Sequence, residues 1–171
     1  MALTVTWIEW HEADTPGATN GEATTNMNLG NADTVDIVPA NFPVKVNEYS
    51  YFKQGKFNFS GSMTQVDNVR VYKSAGAYKT EEVLQFSGGI AVSTPDATDQ
   101  SWSLIPTAEP SANVILPNTT TGKLYQSDQE SSPGYTSGSR TGLIGFQLKT
   151  TANTETGTTN TKTISVVYDK Q

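Results

Sequence analysis

Cysteine is absent from the 171-residue chain, and histidine occurs once, as His11. Without cysteine there is no disulfide framework, no thiol nucleophile and no cysteine-held zinc. A Ser/His/Asp triad or a multi-histidine metal site would have to rest on His11 alone. Positive charge is scarce as well: 11 Lys plus Arg against 17 Asp plus Glu leave a net charge of −6. A nucleic-acid binder needs a basic face to displace phosphate counterions, so no nucleic-acid partner is expected. Charge of either sign is sparse, 16% of residues against about 25% in an average soluble domain. No apolar run approaches the roughly 18–20 residues of a membrane span, so no membrane partner is expected. The opening residues, Met-Ala-Leu-Thr-Val-Thr-Trp, lack the basic and apolar regions of a secretory signal, and with the missing cysteine they fit synthesis in a cytoplasm.

What the chain has in their place is neutral polarity: 25 Thr, 15 Ser and 12 Asn fill 52 of 171 positions. The length suits one domain, residues 1–171, able to bury about 70% of its unfolded surface. The dominant hydrophobic period is two. Leu3, Val5 and Trp7 alternate with Thr4, Thr6, Ile8 and Trp10, which predicts a strand over 3–10. Residues 13–25 read as a loop, so 1–25 forms an N-terminal strand or arm followed by that loop. Further short strands are expected within 26–38, 42–46, 49–59, 66–73, 82–86, 90–93, 101–105 and 112–116, divided by Gly, Pro and Asn turns. Gly55 falls in register with Tyr51, Phe57 and Phe59 and marks a bulge or a close approach. Residues 143–150 and 161–168 form the clearest pair, with 151–160 as a polar hairpin loop. Residues 118–140 have no strong period and read as a long exposed loop of functional weight. No segment holds a helical period over three turns. The expected fold is all-β: a single antiparallel β-sandwich, Ig-like or jelly-roll-like, with long polar loops and little helix.

Candidate chemistry is thin. Glu9, Trp10, His11, Glu12 and Asp14 form the densest cluster of functional side chains, but one histidine at a strand end is a weak start for a metal site, and a polar strand terminus beside two tryptophans accounts for it better. The carboxylate pairs Asp33/Asp36, Asp96/Asp99 and Asp128/Glu130 miss the spacing of a calcium loop and read as turn formers. Gly88-Gly89 and Gly142-x-x-Gly145 do not lead from a strand into a helix, so they read as turns or bulges and not as phosphate cradles. No catalytic, cofactor-binding or metal-binding residue is assigned. Tyr78, Tyr125 and Tyr135 lie in Gly/Ser/Thr-rich loops, where tyrosine offers contact area with few rotors to a protein or a sugar.

The stretch 28–76 carries a resemblance. It runs Asn28-Leu29-Gly30-Asn31, Asp36, Pro39, Phe42-Pro43-Val44, Asn47, Ser50, Lys53, Phe57-x-Phe59-Ser60-Gly61, Val66-x-Asn68-x-Arg70-Val71-Tyr72-Lys73-Ser74 and Gly76. This order resembles small virion proteins of tailed bacteriophages taken to be capsid decoration (cement) proteins. Gly145-Phe146-Gln147-Leu148 and Ile164 to Asp169 are similar to that group's closing hairpin. The match covers a third to a half of the chain and is a spacing of turn and strand residues, without a counterpart for 94–140. The resemblance implies a non-enzymatic role on the capsid surface of a virion, after synthesis in the host cytoplasm. It implies no cofactor, a major capsid protein as partner, and a homo-oligomer, with a trimer suiting three-fold lattice sites. The residues expected to meet a partner are Leu3, Val5, Trp7, Trp10, Tyr125 and Tyr135. Strand 3–10 fits either burial in its own fold or addition to a neighbour's sheet. The alternatives are a tail- or fibre-associated protein and a weakly glycan-binding β-sandwich module using Tyr125, Tyr135 and Trp102.

Overall fold

The computed structural model describes residues 2–11, 21–110, 137–138, 140–157 and 160–170. The alternating N-terminal segment forms β1 (Thr4–Trp10), as its β-branched and aromatic residues dictate. It is woven into a sheet along its whole length. On one side it pairs antiparallel with β3 (Lys53–Ser60), bringing Trp7 opposite Phe57 and Trp10 opposite Gln54. On the other side lies the short β2 (Glu22–Thr24). Beyond β3 come β7 (Ile144–Lys149), β5 (Val83–Gly88) and β6 (Ser103–Leu104), completing a six-stranded sheet in the order β2-β1-β3-β7-β5-β6. A second sheet holds only β4 (Val66–Ala75) and β8 (Thr163–Lys170), paired antiparallel.

The two sheets pack face to face as an antiparallel β-sandwich, and the described residues contain no helix. Val66, Val69 and Val71 of β4 are buried against Trp7, Phe57, Phe59, Leu84, Phe86 and Phe146 of the larger sheet. The aromatic rings form a connected series: Trp7 lies 5.0 Å from Phe57 and 5.5 Å from Phe146, and Phe86 lies 5.4 Å from Phe146. Each such side chain removed from water contributes about 1.5–3 kcal/mol before entropy is counted. Val66 and Val69 are three residues apart, so strict alternation would put them on opposite faces. A register shift between Asp67 and Arg70, with Asn68 at φ 51, turns both inward.

Besides Glu22–Thr24, read as loop and found as β2, the fold departs from the sequence reading in three places. Residues 26–38, 42–46 and 90–93 are not strands. Between β2 and β3 the chain is irregular, and its backbone groups bond within the loop, as in Asn31 N–H to Phe42 O at 2.9 Å and Tyr51 N–H to Gly30 O at 2.9 Å. Pro39 and Pro43 cannot donate to a ladder, and Asp36 (φ 50) and Asn47 (φ 62) turn the chain left-handed. Second, 143–150 and 161–168 do not pair with each other. β7 lies between β3 and β5, and β8 pairs with β4, so the two strands belong to different sheets and close no hairpin. A period of two fixes which face is buried but not which strand lies alongside. Third, Gly145 is a strand residue and not a turn: a Cβ there would fall 2.1 Å from Trp102 Cη2. Gly55 is a close approach, its missing Cβ leaving room for Trp7 Cζ2 and Ile8 O, each 2.4 Å away. The expected strand 112–116 lies outside the described residues.

Candidate functional site

The inner face of the large sheet is apolar in its centre and charged at one end. Glu9 and His11 leave β1 on the Trp7 side, and Lys53 opens β3 on the same face. All three are buried: Glu9 at 1% exposure, His11 at 8% and Lys53 at 1%. The irregular segment 26–52 covers them and supplies their partners. His11 sits between two carboxylates, with Nδ1 2.9 Å from Asp33 Oδ1 and Nε2 3.2 Å from Glu9 Oε2. The second contact is a close ion pair without hydrogen-bond alignment. Glu9 Oε1 accepts a 2.8 Å bond from Trp7 Nε1–H. Lys53 donates to the Thr34 carbonyl, and Thr24 Oγ1–H donates to Asp36 Oδ1 at 2.7 Å.

Burial alone would push the His11 imidazolium toward losing its proton. Bonding to Asp33 and Glu9 outweighs this, and its pKa is raised to about 9. Lys53 is pushed below its ordinary value by burial, with Glu9, Asp33 and Asp36 opposing that shift. The imidazolium thus lies as a positive charge between the Asp33 and Glu9 carboxylates. The imidazole lies between its carboxylates, so its two nitrogens point apart. Among the described residues no group of three or more His, Asp or Glu is placed to hold a metal. The arrangement is a charged clasp that fastens segment 26–52 to the sheet.

The other side of that segment faces outward and is apolar. Leu29, Pro39, Phe42, Val44 and Val46, with Leu148 from β7, line an open cavity of about 530 Å³ against residues 154–157. Phe42 (40% exposed) and Val46 (38%) expose part of this lining, and Val38 (56%) precedes the lining residue Pro39 in the chain. They are three of five exposed large hydrophobic residues among those described, and all fall within nine positions. Lys45 and Lys79 also line the cavity, with Glu155 the acidic residue there.

The residues expected to meet a partner divide three ways. Trp7 and Trp10 are buried in the chain's own fold, and Leu3 and Val5 pack half-buried against its core. Tyr125 and Tyr135 lie outside the described residues, as does Asp128/Glu130. Trp102 rests on Gly145 and stands edge-on to Phe52 at 5.5 Å. Tyr78 is held between the Lys73 and Lys162 ammonium groups, 4.7 and 5.4 Å from its ring. Asp96 and Asp99 form turns, accepting from the Thr98 and Ser101 N–H groups. Lys53 and the 38–46 surface were not expected. A lysine inside a strand gives no sign of its depth, whereas Pro-Ala-Asn-Phe-Pro-Val-Lys-Val offered a signal: Phe42, Val44 and Val46 alternate, but Pro39 and Pro43 cannot donate to a ladder that would bury them. No family model, curated protein or solved structure matches the chain.

Proposed function

We propose that this chain is a non-enzymatic structural protein of a phage virion, a capsid decoration protein that binds the outer head surface and strengthens the shell. The resemblance of residues 28–76 supplies the class. The observation that carries a docking role is the exposed apolar lining of a cavity, Phe42 and Val46 among it, on a sandwich. Contiguous exposed apolar surface of this kind marks contact with another macromolecule. A decoration protein adds contacts across subunit boundaries and so favours the assembled shell by mass action. Modest affinity per copy suffices when a lattice repeats the site many times. The partner in this reading is the major capsid protein, with the decoration protein itself a homo-oligomer on the lattice.

Adding the purified protein to heads that lack it tests the reading. Binding should saturate at a copy number set by the lattice and raise the heads' thermal or osmotic resistance. Attachment to tails and not to heads would move the protein to the tail or fibre. The glycan-binding alternative rests on Tyr125 and Tyr135, outside the described residues, and on Trp102, which packs against Phe52 and Gly145.

A further inference from the structure

We infer that the outer edge of β8 (Thr163–Lys170) pairs antiparallel with the same edge of a second copy of this chain, joining the two small sheets into one four-stranded sheet. The backbone directions follow from the register. Lys73 N–H bonds to the Pro106 carbonyl at 2.8 Å, so it points away from β8. Lys73 lies opposite Ile164, which makes this a pair without mutual hydrogen bonds, and Ile164 turns its own N–H and C=O away from β4. By alternation along β8, Val166 and Tyr168 do the same, while Ser165 and Val167 bond toward Tyr72 and Arg70. Among the described residues no strand takes up that second edge.

The two edges of the small sheet differ. That of β4 is closed by 105–110, through Lys73 and through Arg70, which donates to the Pro110 carbonyl at 3.2 Å and lies 3.7 Å from Glu109. That of β8 is open, and 163–168 (Thr-Ile-Ser-Val-Val-Tyr) holds none of the charge or proline that shields a solitary edge. The core is also unfinished there. Val66, Val69 and Val71 of β4 are 0% exposed, whereas Ile164, Val166 and Tyr168, packed on the same core, stay half-buried. The strand that completes this edge must bring alternate apolar side chains on the core-facing side. A second β8 does so. A two-fold axis through Val166, perpendicular to the sheet, keeps core-facing residues on one face, so Ile164 meets the second copy's Tyr168 and Val166 meets its equivalent. Each outward N–H then finds a carbonyl. On the other face Ser165 lies beside Val167 and Thr163 beside Asp169. The like charges brought together, Lys162 and Lys170, stand at the ends, and Lys162 is held by Glu82 at 2.9 Å. With both β4 edges closed, the assembly stops at two copies. This deepens the homo-oligomer proposed above and rests on that reading only for its place on a lattice.

Sedimentation of the full chain, with amide hydrogen exchange on the same samples, tests the inference. At about 100 μM the wild type should sediment at twice the 18.4 kDa of one chain, with the amides of 164–168 all protected. The Ser165→Lys/Val167→Lys variant sets lysines opposite lysines across the joint. It should sediment as one chain, with exchange at 164, 166 and 168 faster by at least about tenfold and protection at 165 and 167, bonded to β4, retained. Ser165→Glu/Val167→Glu should behave alike, and an equimolar mixture of the two variants should recover the doubled mass. A wild type of single mass or of three copies would overturn the inference, as would a dimer with 164, 166 and 168 unprotected or a mixture that stays monomeric. Head binding keeps the two proposals separate. Heads that bind a wild type of single mass would leave the decoration role and remove this interface; a dimer that does not bind heads would do the reverse.

Discussion

Segment 26–52 has two sides, and they bury opposite things. Toward the sheet it contributes the Asp33 carboxylate and the Thr34 carbonyl to a buried clasp with Glu9, His11 and Lys53. Toward solvent it presents Pro39, Phe42, Val44 and Val46. Ile37 and Phe52 are buried as usual, but beside them the segment buries charge and leaves Phe42 and Val46 partly in solvent. The contrast teaches that the segment is not a strand that failed to pair. Its inner side is held by charge together with Ile37 and Phe52, and Phe42 and Val46 remain to face something that is not part of this fold. A buried charge network is no cheaper than an apolar core, but losing one member is costly, so it fixes position more than it adds stability.

That asymmetry can be broken from the inside first. Glu9→Leu removes the carboxylate facing His11, Lys53 and the Trp7 indole and leaves buried cations undercompensated. It should cost about 3–5 kcal/mol in denaturant unfolding. Titration should show the next largest effect. The His11 pKa of about 9 lies above its ordinary 6.5, so the folded state holds the proton more tightly than the unfolded one. The stabilisation is complete below about 6.5 and is lost as pH rises through 9, to an upper bound of about 3 kcal/mol. Lys53 shifts the other way and acts with opposite sign nearer the alkaline end. His11→Gln should flatten the slope between pH 7 and 9; an unchanged slope would place the titrating group elsewhere. In the apolar centre, Gly55→Ala sets a methyl against Trp7 and the Ile8 carbonyl and should cost about 1–3 kcal/mol by overpacking. On the outer side, Phe42→Ser should change stability by no more than about 0.5 kcal/mol. A large loss there would mean that Phe42 supports the fold and is not a contact surface.

The sandwich was legible in the sequence where residues alternate. β1, β4, β5, β7 and β8 lie close to where Thr, Val, Ile and Phe recur every second position. Pairing was not legible, because 143–150 and 161–168 announce buried faces without naming neighbours. The buried amides were not legible either. Gln54 and Gln147 occupy the outer face of the large sheet, and each donates to a carbonyl of the covering 90–102 segment, Ser93 O and Thr98 O, at 2.8 Å. Such side chains stand in for a missing ladder strand, and no local pattern reveals this. Half of the clasp was in view as the Glu9–His11 cluster. Its other half, Asp33 and Lys53, depends on contacts more than twenty positions apart in sequence and on an irregular loop.

Co-sedimentation with heads lacking the protein tests the central claim most directly, using the wild type beside the Phe42→Ser/Val46→Ser double variant. The account predicts that wild type saturates at a lattice copy number. The variant should show the same thermal unfolding but bind at least about tenfold more weakly. A variant that binds heads as tightly as wild type would contradict the claim that this outward apolar face is where the protein meets its partner.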